Sequence, residues 1–283
     1  MEQQRLKTAV IGVGRWGKNI ARELDQASEL TYFASKTSDL GLAHVQRASV
    51  DDICADPSIR AVAIATPVPT HFEIASAALR SGKHVLCEKP LTRTSAEAHA
   101  LAQLAQENAR AIVTGYTLLY HPAHQEFKRL IKNTTPTRVQ CVRTKYGTFT
   151  DTIDNALLTH YLSIAYDLFG MPQKAAVTMR EAVETACDRI ETVLSYEQFE
   201  FVTAIDRTSK VDAHSVTATF ADGTTLSWSG TKLYKNEEVV FDNSDQALTR
   251  EMRAFLDAAA GGPAPVSAGD FGARVLEIHE MLA

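Results

Sequence analysis

The stretch TAVIGVGRWG, residues 8–17, decides the predicted fold. Its apolar start is typical of a buried strand and passes directly into a G-x-G-x-x-G sequence, after which a helical pattern begins at Trp16. In such a loop the first glycine allows a tight turn, the second lets the backbone approach a pyrophosphate, and the third lets the helix pack closely on the strand. Because a strand precedes the glycines and a helix follows them, the stretch predicts a dinucleotide-binding loop rather than a glycine-rich turn without a ligand.

The residues after this loop continue the same alternation as far as about Gly115. Short β-branched runs alternate with helical stretches, which is typical of βαβ units on a parallel sheet. The predicted strands are Thr8–Ile11, Leu30–Ala34, Ala61–Ala65, His84–Cys87 and Ala111–Thr114, and the predicted helices are Trp16–Gln26, Thr70–Ser81 and Ser95–Asn108. Lys36–Val45 is too short and too mixed for a long helix, so we expect the helix there to be reduced to a turn or lost. Residues 1–118 are predicted to form a Rossmann-type, doubly wound domain.

The pattern changes to alternating strands from about Arg138 onward. The predicted strands are Arg138–Tyr146, Ala175–Glu181, Glu191–Tyr196, Phe199–Ile205, Ser215–Phe220, Thr224–Ser229 and Glu238–Phe241. The predicted helices are His121–Lys132, Ala156–Phe169, Gln246–Ala259 and Phe271–Leu282. Residues 119–283 are therefore predicted to form an α+β domain with a mostly antiparallel, open-faced sheet, and the whole chain is assigned to the α/β class.

The composition of the chain argues against several classes of binding partner. At 283 residues the chain exceeds the size of one hydrophobic core, and its net charge of −5 argues against binding nucleic acid or an anionic membrane. No apolar run approaches the roughly 20 residues of a membrane helix, and the polar Met1–Lys7 leaves no room for a secretory signal. The four cysteines (Cys54, Cys87, Cys141 and Cys187) are scattered without C-x-x-C spacing. We therefore expect reduced thiols, no metal site and a cytoplasmic protein.

The end of the second predicted strand carries the residues that would read the adenosine ribose. An acidic residue there would bind the 2′-hydroxyl of NAD, but the sequence offers Ser35 and Lys36, with no acid before Asp39. A hydroxyl donor followed by a cation suits a 2′-phosphate, so NADP is predicted to be preferred over NAD. The alternative is that Lys36 is a solvated loop residue and that the protein accepts both.

Two further motifs carry a resemblance. Thr66-Pro67 is followed by His71, and the stretch GKHVLCEKPL, residues 82–91, contains Glu88-Lys89-Pro90. Together with the glycine loop these motifs resemble the Gfo/Idh/MocA family (glucose-fructose oxidoreductase and inositol dehydrogenase), which carries a T-P-x-x-x-H segment and an E-K-P signature at the domain junction. The resemblance covers about the first 125 residues well and continues more loosely to the end.

The resemblance implies hydride transfer between a nicotinamide and a hydroxyl or carbonyl carbon of a sugar, polyol or sugar nucleotide. It places Lys89 beside the nicotinamide and the reacting carbon, where its ammonium can hydrogen-bond the substrate oxygen. It also implies a cis peptide before Pro90. The residues that we expect to bind the cofactor are Gly12, Gly14, Arg15, Trp16, Gly17, Ser35, Lys36, Thr66, Pro67, His71, Glu88 and Lys89. The alternative for Glu88 and Lys89 is a plain surface pair.

In the family, a helix of the second domain carries an aspartate four residues before a histidine. Here the histidine is His160, but the aspartate position is Ala156, and Asp154 lies six residues ahead. Three outcomes stay open: His160 acts as acid and base with Lys89, a tyrosine assists it, or the usual chemistry is lost. The candidate tyrosines are Tyr120, Tyr146 and Tyr161. The predicted substrate contacts are Lys89, Tyr116, Tyr146 and His160, although either of these two tyrosines could instead be a core or strand residue.

Two other functions remain open. A dinucleotide-binding regulatory protein without turnover is favoured by Ala156, whereas the intact Glu88-Lys89-Pro90 favours an enzyme. An NADP-dependent reductase of a dihydrodiol, diketone or tetrapyrrole would also suit the Ser35-Lys36 sequence. The resemblance further implies a homodimer or homotetramer through the open sheet face, because so large a face would not be left to water.

Overall fold

The computed structural model describes residues 5–36, 38–147 and 152–283. The chain divides into two compact units. The first contains the chain up to Thr117 together with Ala247–Leu276, and the second contains Leu118–Gln246 together with Glu277–Ala283. The predicted boundary at residue 118 placed everything after it in the second domain, whereas Ala247–Leu276 lies in the first compact unit.

The first unit contains a six-stranded parallel sheet. Its strands are β1 (Lys7–Ile11), β2 (Glu29–Ala34), β3 (Gln46–Arg47), β4 (Ala61–Ile64), β5 (His84–Glu88) and β6 (Ile112–Gly115). Its first helices are α1 (Arg15–Ala27), α2 (Val50–Ala55), α3 (His71–Arg80) and α4 (Ser95–Glu107). The strand order β3-β2-β1-β4-β5-β6 is that of a doubly wound Rossmann domain, which confirms the predicted class.

The connection from β2 to β4 differs from the prediction. It contains the two-residue edge strand β3 and the short helix α2, both of which the sequence analysis missed. A capping box begins α2: the Ser49 hydroxyl accepts from the Asp52 amide at 3.0 Å, and the Asp52 carboxylate accepts from the Ser49 amide at 3.1 Å. The S-x-x-D pattern was the available signal, but the helix has only six residues and little periodicity.

Both faces of this sheet are covered. Every residue of β4, β5 and β6 is buried, as expected for central parallel strands. Helix α7 (Ala247–Ala259) packs on one face, because its Phe255 lies fully buried in the same apolar cluster as Val10 and Ile20. Helix α8 (Phe271–Glu280) contributes Ala273 and Leu276 to the other cluster. This shared burial is why the segment belongs to the first unit.

The second unit contains an eight-stranded sheet. Its strands are β7 (Arg138–Thr144), β8 (Lys174–Glu181), β9 (Arg189–Ser195), β10 (Glu200–Asp206), β11 (Ala213–Thr219), β12 (Thr225–Ser229), β13 (Lys232–Lys235) and β14 (Glu238–Asp242), in the order β14-β13-β12-β11-β7-β10-β9-β8. Only β7 and β10 pair in parallel, so the sheet is mostly antiparallel, as predicted. The short strand β13 was missed.

Two helices accompany this sheet. They are α5 (Pro122–Ile131) and α6 (Thr159–Phe169). The predicted helix from Ala156 begins instead with a π-helical turn over Asp154–Leu158, a wider coil that recurs at functional sites. None of the helices in the described residues is long and apolar enough to span a bilayer.

The packing of α7 predicts the effect of one substitution. Phe255→Ala should lower the free energy of unfolding of the first unit by about 3–5 kcal/mol, because it removes a fully buried ring. Urea denaturation measures the loss, and hydrogen exchange should show faster exchange of the β1 amides. Arg253→Ala, at an exposed position of the same helix, should change stability by less than about 0.5 kcal/mol. Faster exchange confined to residues 118–246 would contradict this assignment of α7.

Candidate active site

Two glycines of the loop after β1 are required by packing. Gly12 has φ +92°, and a Cβ there would lie 2.5 Å from the carbonyl oxygen of Ala65. A Cβ on Gly17 would lie 2.0 Å from the carbonyl oxygen of Gly12. Contacts this short exclude any side chain. The two glycines therefore let α1 begin directly against the ends of β1 and β4.

Gly14 is different. It is the exposed N-cap residue of α1, and a Cβ built on it meets no atom of the described residues within 4 Å. No side chain in the described part of the chain caps the helix, and its first turn carries no acidic residue. The first backbone N–H groups of α1 thus face an open space next to Gly14. Packing within the protein does not require a glycine at this position. This is the arrangement that a pyrophosphate needs at a helix N-terminus. The neighbouring Arg15 and Trp16 are exposed.

The segment after β4 is held by His71. Its Nε2 lies 2.8 Å from the Thr66 carbonyl oxygen and its Nδ1 lies 3.1 Å from the Pro90 carbonyl oxygen. The ring is 1% exposed, and burial lowers its pKa, so it is neutral and donates to one of these oxygens at a time. His71 is thus buried and joins the second motif to the third, and its contact with the cofactor stays a prediction. Thr66 is half-buried and Pro67 is exposed.

Glu88 ends β5 and connects the third motif to the glycine loop. Its Oε1 accepts a hydrogen bond from the Trp16 indole, and its Oε2 accepts one from the Lys89 amide at 3.2 Å. Burial raises the pKa of Glu88 to about 6, against the opposing effects of the Lys89 charge and these hydrogen bonds. A Cβ on Gly115 would lie 2.8 Å from Glu88 Oε1, so this glycine makes room for the carboxylate. Glu88 is thus a buried connector, not a surface partner of Lys89.

Lys89 follows directly at the carboxyl end of β5. It is half-buried, and its peptide bond to Pro90 is cis, as the resemblance implied. Strands β1, β4 and β5 are parallel neighbours, so the glycine loop, Thr66 and Lys89 follow the same edge of the sheet. In doubly wound sheets ligands bind at this edge, next to the point where the strand order reverses between β1 and β4.

One cation that the sequence analysis missed lies beside the end of β2. Arg47, on the edge strand β3, donates to the Ser35 carbonyl oxygen at 2.6 Å and to the Ser38 carbonyl oxygen at 3.0 Å. Ser35 is half-buried and accepts from the Ser38 amide at 3.1 Å, while Lys36 is exposed. Two cations therefore border the predicted ribose site. Only the pairing of β2 with β3 brings Arg47 there, and a two-residue strand leaves no periodicity to recognise.

Tyr116 lies in the core of the first unit. The residue is fully buried, and its ring centroid lies 5.9 Å from that of Phe271. The sequence analysis left open whether Tyr116 contacts substrate or is a core residue, and its burial favours the core position. The direction of its side chain could not be read from the sequence.

The remaining candidates belong to the second unit. His160 is half-buried near the start of α6, and Tyr146 is 54% exposed just beyond the end of β7. Asp154 accepts from the Arg180 guanidinium at 2.8 and 3.1 Å, and both of its oxygens are used for this pair. Tyr161 is buried, with its hydroxyl 2.9 Å from Nδ1 of His214. Of the tyrosines proposed to assist His160, Tyr161 is therefore committed to a buried contact.

Comparison with known proteins agrees with this geometry. Residues 6–116 match the family model described as an oxidoreductase family with an NAD-binding Rossmann fold. UDP-N-acetylglucosamine 3-dehydrogenase of Acidithiobacillus ferrooxidans is 35% identical over 130 residues, which are 44% of this chain and 41% of the relative. The scyllo-inositol 2-dehydrogenase (NADP(+)) IolW of Bacillus subtilis is 26% identical over 171 residues, 54% of this chain and 47% of the relative. The matched stretches thus span less than half of either relative.

A solved structure is similar over nearly the whole chain. It is that of the UDP-N-acetylglucosamine 3-dehydrogenase GnnA from Acidithiobacillus ferrooxidans, with a TM-score of 0.88 and 26% identity. The match covers 98% of this chain and 96% of GnnA. The likeness therefore includes the second unit, which the family model does not reach.

The difference in available space at Gly17 and Gly14 can be tested by substitution. Gly17→Ala should lower the free energy of unfolding by about 3 kcal/mol or more, because the new methyl group would overlap the Gly12 carbonyl. Gly14→Ala should cost at most about 1 kcal/mol, since alanine is only a poorer N-cap than glycine. Thermal or urea denaturation of both variants measures the difference. Equal destabilisation would show that the space next to Gly14 is not open.

Proposed function

We propose that the chain is an NAD(P)-dependent dehydrogenase or reductase of the Gfo/Idh/MocA oxidoreductase family, whose model matches residues 6–116. It transfers a hydride between the nicotinamide and a hydroxyl or carbonyl carbon. The observation that carries the proposal is the shared sheet edge: Lys89 directly follows β5 on the same edge as the open N-terminus of α1 at Gly14. A phosphate site and a cationic side chain are thus presented by neighbouring parallel strands.

The proposed roles follow from the chemistry of each group. The backbone N–H groups at the start of α1 bind the pyrophosphate, with Arg15 adding positive charge at the same turn. The bound nicotinamide supplies the hydride chemistry. Lys89 hydrogen-bonds the substrate oxygen: it gives that oxygen a proton when a carbonyl is reduced and takes the proton back when an alcohol is oxidised. Thr66 and Pro67 line the cofactor at the end of β4.

We propose NADP as the preferred cofactor. Ser35 offers a hydroxyl and Lys36 an exposed ammonium at the end of β2, where a 2′-phosphate would bind. Arg47 supports the proposal, because it brings a second cation to the same loop. The Bacillus subtilis relative is itself named as an NADP(+) enzyme.

The proposed substrate is a sugar, a polyol or a sugar nucleotide. One relative is named for a sugar nucleotide and the other for an inositol, and both names describe oxidation of a ring hydroxyl. His160 and Tyr146 remain proposed substrate contacts in the second unit. We also propose a homo-oligomer that forms through the partly exposed face of the eight-stranded sheet, where Val193, Val202 and Ala204 are only half-buried.

Cofactor preference is measured by fluorescence titration with NADPH and NADH. The unmodified protein should bind NADPH more tightly. Lys36→Ala should weaken NADPH binding about 5–20-fold and leave NADH binding within twofold, because only NADPH carries the 2′-phosphate. Lys132→Ala, at an exposed lysine of the second unit, is the matched control and should change neither affinity. A tenfold preference of the unmodified protein for NADH would refute the NADP proposal.

The role of Lys89 is measured by turnover on a panel of sugar nucleotides and inositols. Lys89→Met keeps the side-chain length and removes the proton-carrying group, so kcat should fall about 10²–10⁴-fold. The Kd for the dinucleotide should stay within about threefold. Lys132→Met, at an exposed position at the end of α5, should keep full activity.

Full turnover by Lys89→Met would remove this lysine from the chemistry. If the unmodified protein binds a dinucleotide but turns over none of these substrates, the alternatives are a binding protein without turnover or a reductase of a non-sugar substrate. Failure to bind either dinucleotide would overturn the enzyme proposal as a whole.

A further inference from the structure

A second buried carboxyl group lies behind the third motif. Glu251, on α7, is fully buried in the first unit. Its Oε2 accepts a hydrogen bond from the Thr117 hydroxyl at 2.7 Å, and its Oε1 has no hydrogen-bond partner in the part of the chain that the structure describes. Burial, and next the charge of Glu88, raises the pKa of Glu251 well above its usual range. Both carboxyl groups lie against the same short segment after β6: Glu88 packs on Gly115, and the Thr117 hydroxyl that bonds Glu251 is two residues further along.

Two carboxyl groups that share a buried site do not both ionise at neutral pH, so one of them retains a proton. The hydrogen bonds show which one. Glu88 receives the Trp16 indole N–H and the Lys89 amide N–H, and the Lys89 ammonium also favours its negative charge. Glu251 receives a single hydroxyl. An ionised carboxylate needs several donors, so the charge belongs on Glu88 and the proton on Glu251.

We propose that Glu251 is a positioning residue: it stays a neutral carboxylic acid beside Glu88 and so keeps Glu88 as the charged acceptor that fixes the Trp16 indole and the Lys89 backbone. By keeping Glu88 ionised, Glu251 would fix the position of the glycine loop relative to the candidate catalytic Lys89. The functional part of the inference rests on the proposed function, because it assumes that these two elements bind the dinucleotide and substrate.

The titratable and charged groups around Glu88 come from every element packed on it. They are Lys89 and Cys87 of β5, Tyr116 after β6, and Glu251 of α7. Burial and the Glu88 charge raise the pKa of both Cys87 and Tyr116, which are fully buried, so neither ionises near neutral pH. A titration near pH 6 in this region therefore reports on Glu88.

The ionisation states are tested on the protein without ligand. In infrared spectra at pH 8, the unmodified protein should show the carbonyl stretch of a protonated buried carboxylic acid, and Glu251→Gln should lack it. The emission of Trp16, taken as the difference from a Trp16→Phe variant, should titrate with a midpoint near pH 6, because its indole N–H is bonded to Glu88.

The substitution series then separates positioning from mere packing. Glu251→Gln keeps a neutral polar group, so the Trp16 midpoint should stay within about 0.3 pH unit. Glu251→Met keeps the volume and makes the surroundings of Glu88 apolar. The Trp16 midpoint should therefore rise by about 0.5 pH unit or more, and the Kd for NADPH should rise about threefold or more. Asp257→Asn, at an exposed acid on the same helix, is the control and should change neither value.

Three results would overturn the inference. The first is an infrared band that is missing from the unmodified protein or unchanged in Glu251→Gln. The second is a midpoint that falls by one unit or more in Glu251→Gln, which would show that Glu251 carries a negative charge. The third is a Glu251→Met variant that changes the melting temperature but leaves the midpoint and the Kd unchanged. The infrared and emission measurements need no dinucleotide, so they decide the charge assignment even if the proposed function fails.

Discussion

The first unit depends on one close approach, that of α1 to the ends of β1 and β4. At Gly17 and Gly12 the helix and the strand end come so near that no Cβ fits between them. This contact sets where the helix begins, so its free N–H groups point outward at Gly14 and its Trp16 reaches Glu88 at the end of β5. A steric constraint between glycines thereby determines where α1 presents its first N–H groups and where it contacts the third motif.

Much of this unit could be predicted because its signals are local. Strand β4 is an unbroken apolar run and β1 ends in one, and the glycine spacing of the loop predicts its conformation. The direction of single side chains could not be predicted. His71 lies in a motif and yet turns inward to backbone carbonyls, and Tyr116 packs on Phe271. A sequence motif identifies a residue as important, but it does not show whether the side chain binds a ligand or hydrogen-bonds the backbone.

Contacts between distant segments could not be predicted at all. The periodicity of α7 indicates an amphipathic helix, but it does not say which core the apolar side covers, and 45% of the whole chain is hydrophobic. The same helix buries Glu251, which in the sequence is an ordinary acid among charged neighbours. Arg47 is a comparable case, since only strand pairing brings it to Ser35. The acid–base chemistry of the site therefore depends on tertiary contacts that no motif contains.

The division of the first unit between two stretches of chain has a consequence for its synthesis. On the ribosome the residues up to Thr117 emerge first, but α7 and α8 emerge only after all of β7–β14. Until then, the apolar surface around Val10 and Ile20 lacks the Phe255 side chain that covers it in the finished protein. The nascent first unit therefore exposes an incomplete core throughout translation of the second unit. Transiently exposed apolar surface of this kind is what cotranslational chaperones bind.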